Sequence, residues 1–106
     1  YKKSIAPQSG STAVVELCMT TKSAIGYSGM GYMNDTVGVL AVSKEDGGQA
    51  YEPTIANVQS KDYPISRPLY IYTIGEPEGD VKAYLDWIKS AGGQAVLAEE
   101  KFVPLN

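Results

Sequence analysis

The residues in this chain best suited to chemistry are Ser9, Gly10, Ser11 and Thr12. Small hydroxylated residues ahead of a helix turn backbone N–H groups and hydroxyls outward, which suits an anion. Helix caps have the same composition, and on capping preference alone the capping role is the stronger reading. The stretch is not a Walker-type phosphate loop, because no Gly-Lys-Ser/Thr follows it. Arg67 has the planar fork that grips anions, but it stands alone between Pro64 and Pro68. A local ion pair or hydrogen-bond brace is the simpler role for an isolated arginine. Lys44-Glu45-Asp46 reads as a solvated turn, not as a carboxylate pair for acid–base work. The eight tyrosines are scattered and read mostly as amphipathic packing; Tyr27, at the end of an expected strand, is the one placed to meet a ligand.

What is missing is as informative. The chain has no histidine and a single cysteine, Cys18. Serine–histidine and cysteine–histidine catalysis, disulfides and structural zinc are therefore unavailable to these residues, and no cofactor is implied. Val14, Leu17 and Cys18 fall at i, i+3 and i+4, so the thiol is expected in the core, with nothing basic nearby in sequence to activate it. A phosphatase-like hydrolase would need a nucleophile and a base that this set does not supply.

At 106 residues the chain suits one domain with a modest core. A hydrophobic fraction of 43% and a charged fraction of 20% are those of an ordinary globular protein. The net charge of −3 and the scatter of the nine basic residues speak against nucleic acid as a partner. No apolar run approaches the roughly 18 to 20 residues needed to span a bilayer. No leader-like apolar core is present, so an export signal is expected upstream if the protein is exported.

Several elements must position these residues. Residues 3–6 read as a short strand. Ser11 or Thr12 is placed to cap a helix running to about Thr20. Ala24-Ile25-Gly26-Tyr27-Ser28 reads as a buried strand whose glycine admits another backbone. Gly29 to Met33 reads as a loop with one helical turn, and Val37 to Val42 as a strand ended by the turn at residues 44–48. Pro53 opens a short helix to about Gln59, with Ile55 and Val58 facing inward.

Then comes Tyr63-Pro64-Ile65-Ser66-Arg67-Pro68-Leu69-Tyr70-Ile71-Tyr72-Thr73. Two prolines are followed by β-branched, aromatic and aliphatic residues, so a strand is expected after Pro68. Asp80 is expected to cap a helix from Val81 to about Ser90, with Val81, Tyr84, Leu85 and Ile88 as its apolar stripe. Ala91-Gly92-Gly93 reads as a break, residues 94–99 as a further short helix, and Phe102-Val103-Pro104-Leu105 as an apolar tail that docks. The resulting fold class is α/β, a mostly parallel sheet flanked by helices.

Four of these stretches, in this order, resemble the C-terminal part of the phosphate-binding proteins of ABC-type phosphate importers. They are Ala24-Ile25-Gly26-Tyr27 with Gly31-Tyr32; Tyr51-Glu52-Pro53-Thr54 with Asn57-Val58; Tyr63-Pro64-Ile65-Ser66-Arg67-Pro68-Leu69-Tyr70; and Phe102-Val103-Pro104-Leu105. The resemblance covers nearly the whole chain, and its proline–serine–arginine–proline segment is specific. It implies part of a two-lobed, exported, type II periplasmic-binding-protein-like fold that closes on phosphate by a hinge motion. Residues 1–64 would be the remainder of the second lobe. Residues 65–106 would be the returning hinge strand and the C-terminal helices of the first lobe.

In the family the main second-lobe ligands include an arginine a few residues ahead of serine-glycine-threonine. Ser9-Gly10-Ser11-Thr12 imitates that triplet without the arginine, so the principal ligands are not carried onto this chain. Ser11, Thr12 and Tyr27 remain the candidate ligand residues, with no catalytic or metal site. The partners implied are inorganic phosphate, held only together with the missing N-terminal part, and an ABC permease. Self-association or a complementing N-terminal chain would cover an apolar surface on the Val81–Ile88 stripe and the tail. The location implied is periplasmic or extracytoplasmic, with a lipid anchor on the full protein as an option. The alternative is an interaction or scaffold module that keeps the lobe without binding the ligand.

Overall fold

The structure is a computed structural model that describes residues 3–105. These residues fall into two units, one ending at Val39 and the other beginning at Leu40.

The first unit is built on helix α1, Ser11–Thr20. Its sequence carries no proline or glycine, and Thr20 closes the last turn by donating its hydroxyl to the carbonyl of Glu16 at 3.0 Å. Val14 and Cys18 are half-buried on one side, and Leu17 is exposed. The expected strand at residues 24–28 is instead irregular, without ladder partners, and residues 3–6 form a turn and coil. Gly26 does mark a close approach, but by side chains and not by another backbone. A Cβ there would lie 2.8 Å from Val14 Cγ1 and 3.0 Å from Cys18 Sγ. A single 3₁₀ turn, Met30–Tyr32, follows, as the glycine-rich loop led one to expect.

In the second unit, β1 (Val42–Ser43) pairs antiparallel with β2 (Ala50–Tyr51), Val42 opposite Tyr51. The connecting turn needs a left-handed residue, and Gly47 supplies it at φ 72°. Among the described residues this hairpin is the whole of the sheet structure, so the expected parallel sheet is not formed within them. The physical reason is local: parallel strands need crossover partners, whereas a short glycine turn closes an antiparallel pair by itself. Helix α2, Ile55–Gln59, starts two residues later than expected: Ile55, not Pro53, is its first residue, and Thr54 caps it, its hydroxyl accepting from the Asn57 N–H at 3.2 Å. Pro53 is buried just ahead of it, Val58 is half-buried and Ile55 is exposed.

Helices α3, Gly79–Lys89, and α4, Ala91–Glu99, form a hairpin with one residue between them. Asp80 lies in the first turn of α3 and Glu78 precedes it, so Asp80 is not the cap expected from sequence. Its carboxylate still favours the positive end of the helix. Ala91-Gly92-Gly93, read as a break, is instead the first turn of α4. Ser90 makes this work by ending one helix and starting the next. Its N–H and its hydroxyl both donate to the Trp87 carbonyl, at 2.9 and 2.6 Å, and its Oγ accepts from the Gly93 N–H at 3.3 Å. Gly93 is buried where a Cβ would stand 2.4 Å from the Trp87 carbonyl oxygen and 2.5 Å from that of Ile88. A side chain at residue 93 would push the two helices apart.

The tail docks as expected. Gln94 donates to the Ile88 carbonyl at 2.8 Å and accepts from the Leu105 N–H at 2.6 Å. Gln59 donates to the Pro104 carbonyl at 3.0 Å. Leu85 and Ile88 are half-buried, while Val81, Tyr84, Trp87 and Phe102 are exposed. The rings of Tyr84 and Trp87 stack at 6.1 Å. No apolar side chain is fully buried among the described residues, and Cys18 is half-buried and not part of a closed core.

Candidate functional site

The start of α1 is where Ser9, Gly10, Ser11 and Thr12 converge. Gly10 is the residue before the helix and provides no side-chain cap. Neither Ser11 nor Thr12 caps the helix, because both already lie inside its first turn. The first intrahelical bond to a preceding residue is Val14 N–H to the Gly10 carbonyl, 3.2 Å. The N–H groups of Ser11, Thr12 and Ala13 thus find no acceptor among the described residues. Unsatisfied donors at a helix start carry the positive end of the peptide dipoles, and solvent or an anion must meet them.

A second segment comes up beside this end. The Gly29 N–H donates to Ser11 Oγ at 3.3 Å, and the Ser28 hydroxyl donates to the Ser11 carbonyl at 3.3 Å. Ser11 is half-buried by these contacts, whereas Thr12 is exposed. Tyr27 immediately precedes the contacting pair and is 72% exposed. The fold therefore brings the Ser11 end of α1 and the segment after Tyr27 together. Ser28 and Gly29 are participants that the sequence reading missed. They lie seventeen and eighteen positions from Ser11, and no local spacing couples residues so far apart.

The site is a set of neutral donors. It holds the N–H groups of the first turn and the hydroxyls of Ser11 and Thr12, which can bind an oxyanion by hydrogen bonds alone, while the Ser28 hydroxyl is spent on the Ser11 carbonyl. Arg67 belongs to the other unit and makes no ion pair among the described residues. No cluster of three or more histidine, cysteine, aspartate or glutamate residues that could hold a metal is present among them, and no helix among them is long and apolar enough to cross a membrane.

Comparison with known proteins assigns residues 2–91 to a family model described as a PBP superfamily domain. The chain is 30% identical over 109 residues to phosphate-binding protein PstS of Pseudomonas aeruginosa, covering 99% of the chain and 34% of the relative. It is 40% identical over 85 residues to phosphate-binding protein PstS 2 of Streptococcus agalactiae, covering 79% and 27%. With phosphate-binding protein PstS of Bacillus subtilis the identity is 31% over 100 residues, covering 92% and 31%. The chain thus spans about a third of the length of the curated relatives it matches. No solved structure matches it.

Proposed function

This chain belongs to the PBP superfamily, and from that premise we propose that it is the later part of a protein that captures inorganic phosphate outside the cytoplasm and delivers it to an ABC-type importer. The observation that carries the reading is the uncapped start of α1, with Ser28 and Gly29 set beside it. It lies in a chain whose relatives are named for phosphate binding. A tetrahedral oxyanion accepts many hydrogen bonds at once, and a helix start with free N–H groups and flanking hydroxyls provides donors that need no proton transfer.

Ser11 and Thr12 would supply hydroxyl and backbone donors, and Tyr27 would close one side. The chain performs no bond chemistry in this reading. Residues 1–64 would belong to the second lobe and residues 65–106 would return to the first, as part of a mostly parallel sheet flanked by helices. Phosphate would be bound between the lobes, so most of its ligands lie outside these residues.

Calorimetric titration tests this. The complete polypeptide that contains these residues should bind phosphate, and residues 1–106 alone should bind it at least a hundredfold more weakly, because binding energy is lost with each missing charge-assisted hydrogen bond. Equal affinity in both would overturn the two-lobe reading. A folded complete protein with no phosphate affinity would favour a scaffold role.

A further inference from the structure

We infer that the docked tail is a strap laid across the boundary between the lobes, and that the hydrogen bond from Gln59 to the Pro104 carbonyl restricts the lobes to one path of closure. The inference rests on the two-lobed reading above, in which residues 1–64 and 65–106 belong to different lobes. Gln59 is the last residue of α2, on one side of that boundary. Pro104 lies 45 positions further on, on the other side. Gln59, Val103 and Pro104 are all half-buried, so water competes less for this bond than for one at the open surface.

The strap is fastened and stiff along its length. Where it leaves α4, the Phe102 N–H donates to the Leu97 carbonyl at 3.0 Å. Farther on, the Leu105 N–H donates to Gln94 Oε1 at 2.6 Å, and Gln94 donates to the Ile88 carbonyl at 2.8 Å, which ties the tail to both α3 and α4. Pro104 fixes its own φ and keeps Val103 out of the helical region, so the segment has little freedom with which to yield. A pull on Pro104 is therefore a pull on the helices of the first lobe.

The place of the bond decides what it does. Beyond α2 the chain folds straight back: the Tyr63 N–H donates to the Asn57 carbonyl at 3.0 Å, and Lys61 takes the left-handed conformation at φ 64°. The Ser66 hydroxyl then donates to the Tyr63 carbonyl at 2.9 Å. The crossing at residues 64–65 is thereby held beside the end of the same helix that grips the tail. When lobes rotate about a crossing, displacement grows with distance from it, so a contact beside the pivot is kept while the far ends travel. Such a contact does not oppose closure. It opposes twisting and sliding, which would drag Pro104 away from Gln59. Closing from a restricted open state also loses less conformational entropy than closing from a loose one, and the difference appears as affinity.

Distance distributions between two spin labels test this in the complete polypeptide. Asp46→Cys and Ala83→Cys, both at exposed positions, carry the labels in a Cys18→Ser background, one on each side of the boundary. Gln59→Leu removes the donor and keeps the bulk, whereas Gln59→Lys keeps a donor. Without phosphate, Gln59→Leu should about double the width of the distribution, and it should weaken phosphate binding about threefold. Gln59→Lys should restore most of both. Unchanged width in Gln59→Leu overturns the inference and leaves Gln59 as a fastener of the tail alone. Equal broadening in Gln59→Lys also overturns it, since the donor would then play no part. So does tighter phosphate binding by Gln59→Leu, because the bond would then be holding the lobes apart. Phosphate titration of the parent protein separates this inference from the function it rests on. Broadening without phosphate affinity leaves the strap standing and removes the function, and affinity with unchanged width does the reverse.

Discussion

Two helix starts in this chain are built in opposite ways. At α4 the protein satisfies itself: Ser90 accepts from the Gly93 N–H, donates to the Trp87 carbonyl, and lets the two helices touch through bare backbone. At α1 the residue in the equivalent position is Gly10, which has no side chain to offer. The donors of that first turn are left facing outward, with Ser28 and Gly29 brought in from a distant segment. Helix α2 follows the pattern of α4, using Thr54. A helix start that a protein completes with its own side chain is doing structural work. One left open beside a cluster of hydroxyls is available to a ligand. The same composition of small and hydroxylated residues serves both, so composition alone could not distinguish them.

The sharpest way to break the comparison is at Gly93. Replacing it with alanine puts a methyl group within 2.5 Å of two backbone carbonyl oxygens, and backbone yields less easily than a side-chain tip. Gly93→Ala should destabilise the hairpin by roughly 3 kcal/mol, the upper end for overpacking a tight contact. Urea denaturation of the complete polypeptide, followed by far-ultraviolet circular dichroism, measures it. A loss below about 0.5 kcal/mol would mean that α3 and α4 are not held at this spacing.

Ser90 comes next. Ser90→Ala removes the acceptor for the Gly93 N–H and should cost about 1 kcal/mol, while Ser90→Asp should restore most of it. Neither change should alter phosphate affinity, because this start is closed and lies in the other unit from α1. A tenfold change in affinity with unchanged stability would show that the distinction between the two helix starts has been drawn wrongly.

The sequence reading failed at Ser90 for a physical reason. Ala91-Gly92-Gly93 has the poorest helix propensity in that region, and only the packing of α4 against the carbonyls of α3 turns glycine from a breaker into a requirement. Gln94 escaped notice likewise, since its partners, Ile88 and Leu105, belong to a contact that exists only once the tail has docked. Periodicity did locate α1 and α3, because those signals repeat within a few residues. It also marked residues 69–73 as strand-forming, where preference is local, but could not supply a ladder, since pairing needs a distant partner. At the candidate site Ser11 was legible as a hydroxyl at a helix start, while Ser28 and Gly29 were not.

The smallest expected effect on stability is also the most discriminating. Gly10 has an extended backbone, φ 177° and ψ 177°, which any residue can adopt, and nothing lies within 4 Å of the Cβ it lacks. Gly10→Asp should therefore fit, and its carboxylate should take up the donors of the first turn as a conventional cap. Glycine is itself tolerated at this position, so the gain in stability should be only a few tenths of a kcal/mol. If the open start is merely an unoptimised cap, that gain is the whole consequence. If it is an anion seat, the new carboxylate occupies the same N–H groups and repels the incoming charge, so phosphate affinity should fall by about tenfold or more. Titrating the complete polypeptide and its Gly10→Asp variant decides between the two. Gly10→Ser separates the contributions, since a neutral cap competes for the donors without adding charge and should weaken binding less.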